Sequence, residues 1–394
     1  MAKKINEQQI KEIFGRGVAD IIGGGELFKA LENGETLRFK MGMDPTSPDL
    51  HLGHAVGLRI LRKLQDLGHE IIIIVGDYTA LIGDPSGRSK TRPPLETAAI
   101  DANAKTYLAQ VGMMLDVKKI ELVKNSKWLS KLTFADLVKL AANFTVARIM
   151  ERDDFAKRYK NGVDIHLHEL LYPLMQAYDS VAVKASVEMG GTDQTFNMLA
   201  GRELQKKLGL PEQAVITCPL LIGLDGEHKM SKSLGNYIGI TESAESMYGK
   251  VMSIPDKLII NYFELATELP TGEITKIKNE LLTGANPRDV KMRLAREIIS
   301  IYHSKGAVKK AEDAFVKTFQ KKEIPDEIPE KKVSSKMLAD VLVEVGFADS
   351  KSDARRTIVQ GGVKVDGKVV DDAALEVGPG SLIQKGKRFF VRIV

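Results

Sequence analysis

The chain has 394 residues, 43% of them hydrophobic and 28% charged, with a formal net charge of +5. That composition excludes a low-complexity or disordered polypeptide and supplies two or three domains with cores of their own. One cysteine, Cys218, excludes an intramolecular disulfide framework and a cysteine-based metal cluster; the longest apolar run, Ile71–Val75, is too short to cross a bilayer.

The N-terminal stretch MAKKINEQQIKEIF is charged and has no apolar signal core, so a cytoplasmic protein is expected. Residues 37–43, LRFKMGM, alternate large apolar and other side chains and predict a strand. A loop with Pro45 and Pro48 follows. Leu58, Leu61, Leu64 and Leu67 then mark a helix that Gly68 would cap. The β-branched run EIIIIVGD predicts a buried parallel strand. Strand, helix and strand make a βαβ unit whose helix starts at the carboxyl edge of the first strand, where open α/β sheets bind ligands.

Segments 134–159 and 167–179 carry apolar residues three and four apart and read as helices. VAVKASVEMGGTDQ returns to a strand ending in Gly190 and Gly191, with a helix up to Gly209. VITCPLLI (215–222) predicts another buried strand. Residues 246–320 show helix patterns only. The charged, Pro-containing stretch 321–332 is a linker candidate. After it come two short helices and a hairpin turning at Asp366-Gly367. From Lys331 onward there are twelve Lys/Arg against eight Asp/Glu, so most of the excess positive charge lies in this tail.

Two motifs carry the chemistry. In HLGH, His51 and His54 flank Gly53 at the expected helix start. A metal site needs a third ligand with plausible geometry; His69 lies beyond the helix and no HExxH is present, which disfavours a metal. Plain helix capping is the bland alternative. A helix N-terminus attracts phosphate, and imidazole N–H groups beside it would add donors. In DGEHKMSKSLGN, Lys229 and Lys232 sit among serines and glycines. The bland reading is a solvated loop; the functional one is a mobile loop closing over a polyphosphate. Either motif alone is weak, and the two in this order on one α/β domain reinforce each other.

The set GMDPT, HLGH, LIGDPSGR, YPLMQAYD, GGTDQ and KMSKS resembles, in order, the signatures of bacterial tyrosyl-tRNA synthetases, members of the class I aminoacyl-tRNA synthetases. The match runs from about residue 37 to 240. The tail resembles the small RNA-binding domain shared with ribosomal small-subunit protein four. The implied fold class is α/β. A Rossmann-like parallel-sheet catalytic domain with a helical insertion spans 1–222, and a KMSKS loop region spans 223–245. An α-helical anticodon-arm-binding domain (246–320), the linker and a small α+β RNA-binding domain (333–394) follow.

The resemblance implies activation of L-tyrosine by ATP, with Mg²⁺ carried by the nucleotide and no metal held by the protein alone, then transfer to tRNA(Tyr). It implies catalytic roles for His51, His54, Thr46, Lys229, Lys232, Arg88 and Arg92. ATP would meet Asp44, Gly53, Gly191, Asp193, Met230, Ser231 and Lys232. Tyrosine would meet Lys40, Thr79, Asp84, Tyr172, Gln176, Asp179 and Gln194, with Asp84 on the ammonium and Asp179 on the phenol hydroxyl. Lys336, Lys351, Arg355, Arg356, Lys364 and Lys368 are candidates for tRNA phosphates. Family members are usually homodimers, and no membrane partner is expected. One position departs: many members carry a tyrosine four residues before the Asp of the DPT loop, and here Lys40 stands there. The rivals are a tryptophanyl enzyme, another HxGH nucleotidyltransferase and a catalytically inactive RNA-binding protein.

Overall fold

The computed structural model describes residues 2–45, 49–86, 97–317, 328–386 and 389–394. They form two compact units, Met1–Tyr302 and His303–Val394.

The first unit is built on a six-stranded sheet. Its strands are β1 (Asp20–Ile22), β2 (Arg38–Met43), β3 (Glu70–Val75), β4 (Ile120–Lys124), β5 (Val187–Gly191) and β6 (Ala214–Cys218), in the order β1-β6-β5-β2-β3-β4. Strands β2 to β6 are parallel and β1 is antiparallel to β6. Chain order reverses between β2 and β5, so the crevice at their carboxyl ends is a topological switch point.

The helix Leu52–Asp66 joins β2 to β3 and buries Leu52, Val56, Leu58, Leu61 and Leu64 against the sheet. It ends before Gly68, whose φ of +93° suits a residue without Cβ. Ile71–Val75 are all buried, as expected of a strand covered on both faces. The four expected strands are present. The short antiparallel β1 and the edge strand β4 had no clear pattern: β1 has one exposed and two half-buried residues, and β4 buries none of its five fully.

The segment read as one helical stretch from 134 is three helices, Phe134–Ala141, Val146–Met150 and Asp153–Lys160. Thr133 and Thr145 accept hydrogen bonds from the first turns of the first two and so restart the helix each time. Helices Ala244–Ser253, Ile259–Ala266, Thr271–Leu282 and Pro287–Tyr302 belong to the same compact unit as the sheet. Arg16 and Arg59 explain part of that union. Their guanidinium groups donate to the carbonyls of Leu265 and Thr267, at the end of the helix Ile259–Ala266, and of Leu269 just beyond it. The next helix, Lys305–Phe315, falls in the second unit.

The second unit carries a five-stranded sheet of β7 (Glu330–Lys331), β8 (Val363–Val365), β9 (Lys368–Val370), β10 (Leu382–Lys385) and β11 (Phe389–Ile393), ordered β7-β11-β10-β8-β9. Helices Leu338–Glu344 and Lys351–Val359 bury Leu338, Val341, Leu342 and Ile358 in a core shared with Val363 and Ile383. The β8–β9 hairpin turns at Asp366 and Gly367, both with positive φ, the type I′ signature. Among the described residues no helix is long and apolar enough to cross a membrane.

Candidate active site

A cleft of about 900 Å³ opens at the carboxyl ends of the central strands. Asp44 leaves β2 at its floor. Its Oδ1 accepts from Thr79 Oγ1 at 2.8 Å and its Oδ2 from the Tyr172 hydroxyl at 2.8 Å. Gly76, just past β3, makes room for this: a Cβ there would overlap Asp44 Oδ1 and Thr79 Oγ1.

One wall is the helix Tyr172–Ala182, which presents Tyr172, Gln176 and Asp179 at spacings of four and three. Asp179 is buried. Its Oδ1 accepts from Trp128 Nε1 at 2.7 Å and its Oδ2 from Asn125 Nδ2 at 3.3 Å. Burial pushes the Asp179 carboxyl up to about 7, against the pull of Lys40 and the two donors. Asp84 accepts from Gln194 Nε2 at 2.7 Å and from the Ser86 N–H at 2.9 Å. The buried Arg152 backs it: its guanidinium is 3.8 Å from Asp84 and donates to Ser86 Oγ and Asn197 Oδ1. Asn197 in turn donates to Gln194 Oε1 at 2.9 Å, closing the ring. Asp84 is thus held with a carboxylate edge in the cleft, suited to an ammonium.

Lys40 is fully buried, and its three ammonium protons are spent. They go to Glu188 Oε1 at 2.8 Å, Ser180 Oγ at 2.8 Å and the Gln176 carbonyl at 3.2 Å. No proton is left for a ligand, because an ammonium has only three donors. Lys40 therefore braces the helix that carries Gln176 and Asp179.

The opposite wall is the start of the helix Leu52–Asp66. His51 is its N-cap residue, and the His51 and His54 rings lie 3.9 Å apart. Burial, with the nearby Lys229 and Lys232 charges, drives both imidazoles far below their usual range, His54 to about 3. Both are neutral at pH 7. Buried His51 Nδ1 has no protein partner. A Cβ on Gly53 would stand 3.0 Å from that nitrogen, so glycine keeps it approachable.

The loop 225–236 faces this helix. Lys229 Nζ is 2.5 Å from Asp193 Oδ2. Lys232 Nζ lies 5.6 Å over the Tyr107 ring, and burial lowers its ammonium to about 8. Met230 is buried, its N–H donating to the Leu221 carbonyl at 2.7 Å, while Ser231 N–H donates to Asn236 Oδ1 at 2.8 Å. Two main-chain bonds tie the loop's exit to the histidine segment: Leu52 N–H to the Ile238 carbonyl and Ile240 N–H to the Leu50 carbonyl, each 3.0 Å. At the end of β5, a Cβ on Gly191 would meet Asp193 Oδ1 at 2.6 Å and Leu220 Cδ2 at 2.9 Å, so only glycine leaves the backbone open to a ligand.

The cleft thus gathers the expected His51, His54, Lys229, Lys232, Asp44, Asp193 and the acidic helix face. Thr46, Arg88 and Arg92 lie outside the described residues. Lys336, Lys351, Arg355, Arg356 and Lys368 are exposed on the second unit and Lys364 is half-buried there. Lys351 pairs with Asp340 at 2.9 Å and Arg356 with Asp353 at 2.7 Å. Among the described residues no three His, Cys, Asp or Glu side chains converge on a metal-binding arrangement. Sequence reasoning missed Trp128, Asn125, Arg152, Asn197 and Glu188. For Glu188 a signal existed: a carboxylate inside a buried strand demands a buried partner.

The profile of the family described as tRNA synthetases class I (W and Y) matches residues 32–320, and that of the S4 domain matches 338–383. The tyrosine–tRNA ligase of Thermotoga maritima is 51% identical over 391 residues, covering 98% of this chain and 97% of that protein. The tyrosine–tRNA ligase of Haemophilus influenzae is 50% identical over 380 residues, covering 96% and 95%. This chain belongs to the tyrosine–tRNA ligase family. The family's fold is shared with the tyrosyl-tRNA synthetase of Archaeoglobus fulgidus solved with L-tyrosine. That structure has a TM-score of 0.63 at 23% identity, covering 77% of this chain and 98% of that one. Within this tyrosine–tRNA ligase family member, the S4 match falls inside the second unit, on the helices Leu338–Glu344 and Lys351–Val359 and strands β8 to β10.

Proposed function

We propose that this protein joins L-tyrosine to tRNA(Tyr) in two steps, in the cleft described above. In the first, a tyrosine carboxylate oxygen attacks the α-phosphorus of ATP, the bond to the bridging oxygen breaks, and pyrophosphate leaves. In the second, a ribose hydroxyl of the terminal adenosine attacks the acyl carbonyl, AMP departs with the bonding electrons, and the hydroxyl proton passes to the departing phosphate. The nucleophile of the first step is already ionised, so the site needs donors and charge rather than a strong base. The neutral imidazoles of His51 and His54, each able to donate one N–H, and the ammonium groups of Lys229 and Lys232 fit that need. Asp193 and Gly191 suit the ribose. Thr46, Arg88 and Arg92 are assigned to the polyphosphate by family likeness.

The observation that carries the choice of amino acid is Asp179. A buried carboxylate already holding two donors on the helix face beside Tyr172 and Gln176 is built to accept one more from a phenol hydroxyl. Asp84 and Gln194, with Tyr172 and Gln176, would hold the ammonium, and Thr79 would keep Asp44 in place. About 50% identity to tyrosine–tRNA ligases over nearly the whole chain weighs against an indole-bearing substrate, although its N–H would also suit a carboxylate. Pyrophosphate exchange into ATP with tyrosine, tryptophan and phenylalanine separates the readings. Exchange with tyrosine alone is expected, and tryptophan-dependent exchange would reverse the assignment.

Mg²⁺ would enter with ATP, since a polyphosphate supplies oxygens for it. The S4-type unit would meet tRNA phosphates through Arg355 and Lys368, with Lys336, Lys351, Arg356 and Lys364 around them, and the helices from 244 to 302 would meet the anticodon arm. Exposed Phe134, Val146, Tyr159 and Leu167 on the insertion support pairing with a second copy; sedimentation would read a dimer. The single cysteine, buried and free, is consistent with a reducing cytoplasm.

A further inference from the structure

Lys40 and Glu188 face each other at the same register of neighbouring strands β2 and β5. Both are essentially excluded from solvent, and their charged atoms are 2.8 Å apart. Such a pair gives little stability for its desolvation cost, so its presence asks for another reason. The Glu188 carboxylate accepts four hydrogen bonds: from Lys40, from Gln176 Nε2 at 3.0 Å, from Ser180 Oγ at 2.9 Å and from Gln213 Nε2 at 2.6 Å. Gly201 closes over this cluster, since a Cβ there would stand 2.8 Å from Gln213 Nε2 and 3.0 Å from Ser180 Oγ. The pair therefore grips the helix Tyr172–Ala182 at two places, the Gln176 amide and the Ser180 hydroxyl, on either side of Asp179.

We propose that Lys40 and Glu188 form a charge-setting pair that fixes the ionisation of Asp179 and the orientation of Gln176, and thereby determines how the site reads the phenol hydroxyl. The inference rests on the assignment of Asp179 as the phenol acceptor. Lys40 is a positioning residue: it acts through Asp179 and Gln176, with no proton to offer the substrate.

Electrostatics agree with the geometry. Facing Asp179 are Lys40 from β2, Glu188 from β5, the uncharged donors Asn125 and Trp128, and Tyr172 on its own helix. The Lys40 charge lowers the Asp179 pKa and the Glu188 charge raises it, Lys40 having the larger effect. The ion pair thus leaves a net pull towards the carboxylate, opposing burial.

The protein carries its own probe. Trp128 is the only tryptophan, and its Nε1–H donates to Asp179 Oδ1. Its fluorescence in the full-length free protein should show an inflection near pH 7 that Asp179→Asn abolishes. Lys40→Met should move that inflection up by about one pH unit, and Glu188→Gln should move it down. Lys40→Arg should return it towards the wild-type position. General damage to packing would not move it in opposite directions. Glu188→Gln keeps the side chain's shape, so it carries the test if Lys40→Met does not fold. Lys40→Met should also raise KM for tyrosine about tenfold at pH 7 with kcat within about twofold.

An absent inflection, or one that Glu188→Gln leaves in place or shifts upward, overturns the proposal. The assignment beneath it has a separate readout. If Asp179→Asn kept the preference for tyrosine over phenylalanine, the phenol-acceptor assignment would fail, whatever the titration of Lys40 and Glu188 variants gave.

Discussion

The main-chain N–H of His51 donates to Nδ1 of His54 across 3.2 Å. The neutral His54 ring therefore carries its proton on Nε2, the nitrogen left to meet a phosphate oxygen. Replacing His54 by alanine should lower the adenylation rate about 100-fold, since one preorganised donor to a developing charge is lost. KM for tyrosine should stay within about twofold, which pyrophosphate exchange measures directly. A large loss of tyrosine affinity with an unchanged rate would contradict a transition-state role. With His54 driven to about 3, no histidine ionisation should appear in the rate profile near neutrality.

Asp179 predicts an acid limb. Its carboxyl, pushed up to about 7, gains a proton as pH falls through that value and loses its acceptor role. Below pH 7, kcat/KM for tyrosine should fall, approaching about tenfold per pH unit, and the limb should vanish for phenylalanine. The linkage to folding has the opposite sense. Between the unperturbed value of 3.8 and about 7 the folded state holds a proton that the unfolded state has released. The resulting stabilisation is present at low pH and is lost as pH rises through about 7. Thermal melts of Asp179→Asn should lack that slope.

Lys232 sets an alkaline limb. Its ammonium, lowered to about 8 by burial, is partly discharged in the free enzyme at that pH. A polyphosphate beside it restores the charge, so ATP binding near pH 8 should take up a proton. KM for ATP should rise above about pH 8, and Lys232→Arg, always charged, should flatten the rise. Calorimetry in buffers of different ionisation enthalpy reads the proton.

Gly76→Ala tests the floor of the cleft. Its Cβ would overlap Asp44 Oδ1 and Thr79 Oγ1, forcing Asp44 off the Tyr172 hydroxyl. We expect kcat/KM for adenylation to fall about 100-fold, because misplacing site groups by an ångström costs that order. A crystal structure of the variant with Asp44 unmoved would refute the steric argument.

Removing residues 328–394 should leave pyrophosphate exchange intact and depress tRNA charging, more steeply as salt rises. Charging equal to that of the full chain would show that the S4-type unit does not serve tRNA binding.

Much of this site was legible before any coordinates. The histidine and KMSKS motifs, the glycines after β5 and the polar face at 172–179 all depend on local spacing, which a sequence displays. Strands β2, β3, β5 and β6 are buried enough to show as apolar runs or alternation. β4 hid because an edge strand needs little apolar surface. Asp179 was readable, but Trp128 and Asn125 were not, because their link to it runs through the order of strands. Lys40 was the clearest gap. Its strand position was plain, yet only the pairing of β2 with β5 reveals Glu188 opposite it.

The two motifs that define the family lie far apart in the chain, yet Leu50, Leu52, Ile238 and Ile240 knit their flanks together main chain to main chain. Recombination between relatives meets that stitch as a constraint. A crossover placed between the segments would pair one parent's histidines with the other's loop, and the fully buried side chains of Leu50, Leu52, Ile238 and Ile240 at that stitch would come from two parents. These two stretches should therefore be inherited together. Gene shuffling among tyrosine–tRNA ligases should yield active chimeras mainly where both come from one parent.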